Sequence, residues 1–116
     1  MFRVDLLKYL ADITVPDGMH VQAGGKLPNK QWAIRNGGTT HWGAGYRLVH
    51  VAGERFSSEE SVPLPALTPG ESGRVTLPNL TAPPLPGHYT SIWMAQTPNG
   101  ECFDSPLTIE IVVVEG

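Results

Sequence analysis

Hydrophobic and polar positions alternate in short runs along this chain, and the runs stop at clusters of glycine, proline or asparagine. The clearest run is Gln31-Trp32-Ala33-Ile34-Arg35. Successive strand side chains point to opposite faces, so Trp32 and Ile34 share one face while Gln31, Ala33 and Arg35 share the other. Asn36-Gly37-Gly38-Thr39-Thr40 follows, and Asn and Gly tolerate the positive φ of a tight reversal. The pattern therefore predicts a central hairpin, with Trp42 on the returning strand.

Other runs fit the same reading. Residues 1–9 form a leading segment or linker, in which residues 2–7 alternate loosely enough for a strand or a short helix. An edge strand is expected over residues 11–15, stopped by the turn Pro16-Asp17-Gly18, and Met19 to Gln22 resumes an extended course. A long strand is expected from Trp42 to Val51, with Tyr46, Leu48 and His50 on one face. Ser61-Val62, residues 73–80, residues 89–96 and residues 107–114 supply further strands. Thr68-Pro69-Gly70-Glu71 and Pro98-Asn99-Gly100 are turns. Ala82-Pro83-Pro84-Leu85-Pro86-Gly87 lacks the backbone donors a sheet needs and must cross between sheets. The sum is an all-β chain, an Ig-like antiparallel β-sandwich of about seven to nine strands spanning residues 10–116.

Tyr89 sharpens that fold class. It opens a strand just after the proline-rich crossing, where a tyrosine corner locks such sandwiches by bonding backbone upstream. Two residues on, where antibody-type domains carry a disulfide cysteine, this chain has Ser91. Cys102 is the single cysteine, so the sandwich must be held by packing, and Cys102 is expected as a small, semi-buried strand residue.

Composition narrows the function classes. At 116 residues there is room for one core. Thirteen glycines and eleven prolines suit many short strands and count against a helical bundle. A net charge of −3 argues against a nucleic-acid partner. No apolar run approaches a membrane span and no signal peptide is visible, which leaves both a cytoplasmic and a cell-surface parent protein open. His20, His41, His50 and His88 lack metal-ligand spacing, the aspartates lack a calcium-loop order, and no serine sits in a nucleophile elbow. No catalytic residue, metal or cofactor is therefore expected, and the chain reads as a non-enzyme.

The run Pro16-Asp17-Gly18-Met19-His20-Val21-Gln22-Ala23-Gly24, then Trp32-Ala33-Ile34-Arg35-Asn36-Gly37-Gly38, then Trp42, resembles the four-tryptophan (FW) domain. That domain is the Ig-like central module of the neighbour-of-BRCA selective-autophagy receptors and occurs in many bacterial multidomain proteins. Pro69-Gly70-Glu71, Ala82-Pro83, residues 87–93, Gly100, Phe103 and Ile111 continue the resemblance in order. One position departs from it: the fourth tryptophan falls near Thr108, so a surface that tryptophan shapes would be altered here. The resemblance implies a non-catalytic module that binds other proteins, monomeric as an isolated domain. The receptors' ubiquitin-binding and oligomerising segments are not in this chain, which points to a bacterial parent.

The tryptophans divide by position. Trp32 and Trp93 alternate with inward-facing residues and belong to the core with Ile34 and Tyr89; Phe103 and Ile111 join them from the resemblance. Trp42 follows a polar turn and is expected to be partly exposed, a docking anchor rimmed by His41 and Thr40. These three, with Asp17 of the preceding turn, are the candidate binding residues. Two other roles remain open. One is a carbohydrate-binding sandwich with tryptophans on a flat face, and the other is a structural spacer between domains.

Overall fold

The computed structural model describes residues 3–115, so Met1, Phe2 and Gly116 of the expected segments lie outside the described residues. Eight strands form two sheets: β1 (Leu7–Asp12), β2 (Met19–Gln22), β3 (Lys30–Asn36), β4 (Arg47–Gly53), β5 (Ser61–Pro63), β6 (Ser72–Leu77), β7 (Gly87–Gln96) and β8 (Cys102–Val114). The small sheet has the order β1-β3-β6 and the large sheet β2-β8-β7-β4-β5. All pairings are antiparallel except β2 on β8, which is parallel. This is the Ig-like sandwich that the alternation predicts.

The core lies between the sheets, where the inward sets meet. Trp32 and Ile34 of β3, Val75 and Leu77 of β6, Trp93 and Ala95 of β7, and Leu107, Ile109, Ile111 and Val113 of β8 are all buried. Tyr89 and Phe103 are partly buried against this cluster. The Trp32 indole N–H crosses the interior to donate to the Thr108 carbonyl at 3.1 Å, tying one sheet to the other. At the proline-rich crossing, the Tyr89 hydroxyl donates to the Leu85 carbonyl at 2.7 Å, so the tyrosine corner is formed.

Lys30 is the one fully buried cation among the described residues. Its ammonium has three donors, and they reach Asp12 Oδ1 at 2.7 Å, the Val15 carbonyl at 2.8 Å and the Thr14 carbonyl at 2.9 Å. A buried charge is tolerated only when paired and fully hydrogen-bonded, and here it is. The cluster pins the end of β1 to the start of β3.

Four local expectations need correction. The first strand runs over Leu7–Asp12, so residues 7–9 are part of the sheet instead of a leading linker, and residues 13–15 are not strand. The Ile13 and Thr14 amides both turn onto the Gln31 carbonyl, and Val15 has a φ of 48° that sends its side chain into the core. The Asn36–Trp42 stretch is no hairpin, because β3 and β4 lie in different sheets and the chain between them crosses the end of the sandwich. The strand expected from Trp42 therefore starts only at Arg47. Finally, Cys102 begins β8 and is exposed rather than semi-buried.

Candidate interaction surface

The crossing from β3 to β4 is fixed from inside. Asn36 is fully buried, and its amide nitrogen donates to the Thr40 carbonyl at 2.8 Å and the Leu67 carbonyl at 2.9 Å. Its amide oxygen accepts from the Gly38 N–H at 3.1 Å. Residues 4–6 lie across Gly38, where a Cβ would stand 2.1 Å from the Val4 carbonyl oxygen, so only glycine fits. Asp5 Oδ1 accepts from the Tyr46 hydroxyl at 3.0 Å and from the Thr40 hydroxyl. The leading residues are thereby part of the domain's packing.

Trp42 is not the exposed anchor the sequence suggests. Its exposure is 0%, and its ring packs 6.5 Å from Tyr46 and 6.2 Å from Phe103, centroid to centroid. The polar turn before it lies over the end of the sandwich, and the Trp42 amide bonds the Leu67 carbonyl at 3.0 Å, which draws the indole inward. The indole N–H finds no acceptor among the described residues. Thr40 is buried as well, while His41 is exposed and lines a shallow depression with Asp5, Tyr46, Pro98, Asn99 and Glu101.

Asp17 is exposed but stands elsewhere. Its turn is closed by Met19 N–H on the Pro16 carbonyl, and Gly18 N–H bonds the Glu110 carbonyl. Trp42 packs on Phe103 near the start of the same strand β8, and the separation of Phe103 from Glu110 is roughly 23 Å of extended chain. Asp17 and the Trp42 crossing thus do not form one site. No backbone amide donates to the Asp17 carboxylate among the described residues, so the turn rests on Gly18, at φ 82°, and on its backbone bonds.

With Trp32, Trp42 and Trp93 all at 0% exposure, none of the three offers a flat indole platform to a sugar ring. Thr108, at the expected fourth tryptophan position, is half-buried opposite Ile92 on the outer face of the large sheet.

What the sequence reading missed is the edge of the small sheet. Val4, Leu6, Tyr9, Leu10 and Ile13 are all exposed, and they cluster on and around β1. β1 is a terminal strand with no proline in it, whereas the edge strand β5 ends in Pro63. A groove of about 440 Å³ runs beside β1, lined by Leu6, Leu7, Lys8 and Tyr9 on one side and Asp104, Ser105 and Pro106 on the other. The Leu7 N–H, on the outer side of β1, donates to Asp104 Oδ2 at 2.7 Å. The Tyr9 hydroxyl donates to Asp12 Oδ2 at 3.0 Å; partial desolvation first, then that bond to a carboxylate, raises the phenol's pKa above its usual 10.0. The signal was available as an apolar excess in the leading residues, but a loose alternation near a terminus reads equally as linker.

The fold and its surface define a small Ig-like sandwich domain whose three tryptophans are spent inside and most of whose exposed large apolar side chains lie on and around one edge strand. Residues 14–113 match the family described as the Ig-like domain from next to BRCA1 gene, and the chain belongs to that family. It is 31% identical over 109 residues to an Arabidopsis thaliana protein called Protein NBR1 homolog, covering 91% of this chain and 15% of that protein. Against Protein JOKA2 of Solanum tuberosum the identity is 30% over 109 residues, covering 91% and 12%. The human Next to BRCA1 gene 1 protein is 35% identical over 85 residues, covering 71% of this chain and 9% of its own length. The chain thus spans a small fraction of the length of each of these relatives.

Proposed function

We propose that this domain is a non-catalytic protein-interaction module of a larger, bacterial protein, of the four-tryptophan type with threonine at position 108. The observation that carries the reading is the apolar exposure gathered on the open β1 edge of a domain whose family occurs inside long proteins. Exposed apolar surface rimmed by polar residues is what a docking face needs. The matched relatives are plant and mammalian, and the bacterial setting rests on the resemblance of the motifs alone. Trp42 and Thr40 enter as internal supports of the crossing, His41 as its exposed tip, and Asp17 as a separate turn.

The test is capture of a protein partner from the source cells by the immobilised domain, compared with Leu6→Asp/Leu10→Asp. Both side chains are exposed, so the double variant is expected to fold and to lose the partner. If deleting the domain from its parent protein changes neither partner capture nor localisation, the domain is a spacer and the reading falls.

A further inference from the structure

Charge is distributed unevenly over this acidic chain. The outward positions of the small sheet are Lys8 and Ala11 on β1, Gln31, Ala33 and Arg35 on β3, and Ser72, Arg74 and Thr76 on β6. That face holds three cations and no carboxylate, on a chain of net charge −3. Lys8 stands directly opposite Arg35 in the register, and like charges so placed destabilise a strand pair. Arg74 stands opposite Ala33, with only a 3.4 Å contact to Gln31 Oε1. None of the three makes an ion pair among the described residues, whereas Lys30 and Arg55 do. The nearest acids are occupied: Asp104 accepts from the Leu7 and Ser105 amides, Glu71 from the Thr68 amide and hydroxyl, and Asp12 turns inward to Lys30.

Beside this cationic face lies the open β1 edge with exposed Leu6, Leu10 and Ile13, and the groove against Asp104 to Pro106. The Leu7 N–H of this edge is held by Asp104, and beyond it no strand among the described residues pairs with the outer side of β1, so the edge offers backbone donors and acceptors to an added strand. We infer that the β1 edge takes up an extended, acidic peptide segment of a partner protein as a fourth strand of the small sheet. Backbone hydrogen bonds hold the segment along β1. Alternate side chains then divide: carboxylates on the outer face meet Lys8 and Arg35, relieving their mutual repulsion, and apolar ones on the other face meet Tyr9 and Pro106 along the groove. This rests on the reading of the domain as a protein-interaction module and names the face and the chemistry of its partner. An apolar rim and only three cations fit a peptide better than a nucleic-acid backbone.

The probe is an acetylated and amidated Glu-Val repeat peptide of about eight residues, the length of an ordinary strand. It is titrated into the isotope-labelled 116-residue chain, with amide shifts as readout. The expected result is saturable shifts at residues 6–12 and at Arg35 and Arg74, weakened about fivefold or more by Lys8→Gln/Arg35→Gln at unchanged melting temperature. A Lys-Val repeat, heparin oligosaccharide and single-stranded DNA should leave those amides unmoved. Shifts elsewhere, no shifts, or equal shifts with heparin or DNA would overturn the inference. If cellular partner capture survives Lys8→Gln/Arg35→Gln, the face is wrong while the module reading stands. If the wild-type domain captures nothing, both fall.

Discussion

The indole N–H of Trp93 donates to Ser91 Oγ at 2.7 Å, and both residues are completely buried. Ser91 occupies the strand position at which antibody-type sandwiches carry a disulfide cysteine. The serine hydroxyl lies 3.5 Å from the Arg55 carbonyl, so it links the core indole to the chain that follows β4. A hydrogen-bonded tryptophan here takes over part of what a covalent bridge does elsewhere.

Ser91→Ala should therefore destabilise the domain by about 1–3 kcal/mol, because it strands a buried indole donor while removing almost no apolar surface. Urea titration of the two proteins measures the difference. A neutral result would mean that the Trp93 N–H finds another acceptor.

Asp12→Ala removes the counter-charge of a fully buried ammonium. Since Asp12 is itself partly exposed, the expected cost is about 2–4 kcal/mol, below the upper end for breaking a wholly buried pair. That is a large share of the stability of a domain this size. Denaturant midpoints at neutral pH would show it, and an Asp12→Ala protein as stable as the wild type would refute the structural role given to Lys30.

The three tryptophans should rank in a defined order when replaced by phenylalanine. Trp42→Phe keeps a ring against Tyr46 and Phe103 and discards a donor that has no partner among the described residues, so about 1–2 kcal/mol is expected. Trp32→Phe and Trp93→Phe lose the same volume and also a hydrogen bond each, to the Thr108 carbonyl and to Ser91. Both should cost more than Trp42→Phe. Thermal melts of the three variants give the ranking, and Trp42→Phe as the most damaging change would contradict it.

Glu71 gives a pH-dependent signature. Its carboxylate accepts from the Thr68 hydroxyl at 2.5 Å and the Thr68 amide at 2.6 Å, and these bonds, side-chain first, lower its pKa from the usual 4.5. A depressed folded-state pKa means the folded state favours the ionised form. Its contribution is complete above 4.5 and is lost as pH falls through the lower folded value. The stability gap between wild type and Glu71→Gln should be flat above 4.5 and close as the medium is acidified further. A gap that widens on acidification would reverse the sign.

The alternation of Trp32 with Ile34, of Ser91 with Trp93, and of Leu107 through Val113 was enough to read two packed layers from residue types alone. Tyr89 after a proline-rich crossing was equally legible, because both features depend on local chemistry. The Trp42 crossing was not. Asn-Gly-Gly predicts a reversal, but whether the returning chain pairs with its neighbour or crosses to the other sheet depends on Asn36 bonding Leu67, far away in sequence. The β1 edge was hidden for a related reason. Leu6, Tyr9 and Leu10 show their exposure only once β1 is placed at the end of a sheet, and the cationic face appears only when the register sets Lys8 beside Arg35.

All three indoles are sealed in the core, so none of them stands at the surface to touch a partner. Acrylamide quenching of the native domain's tryptophan fluorescence tests this most directly. Blue-shifted emission, barely quenched until the protein is unfolded, is the predicted result. Red-shifted emission with one indole quenched as readily as free tryptophan would contradict it.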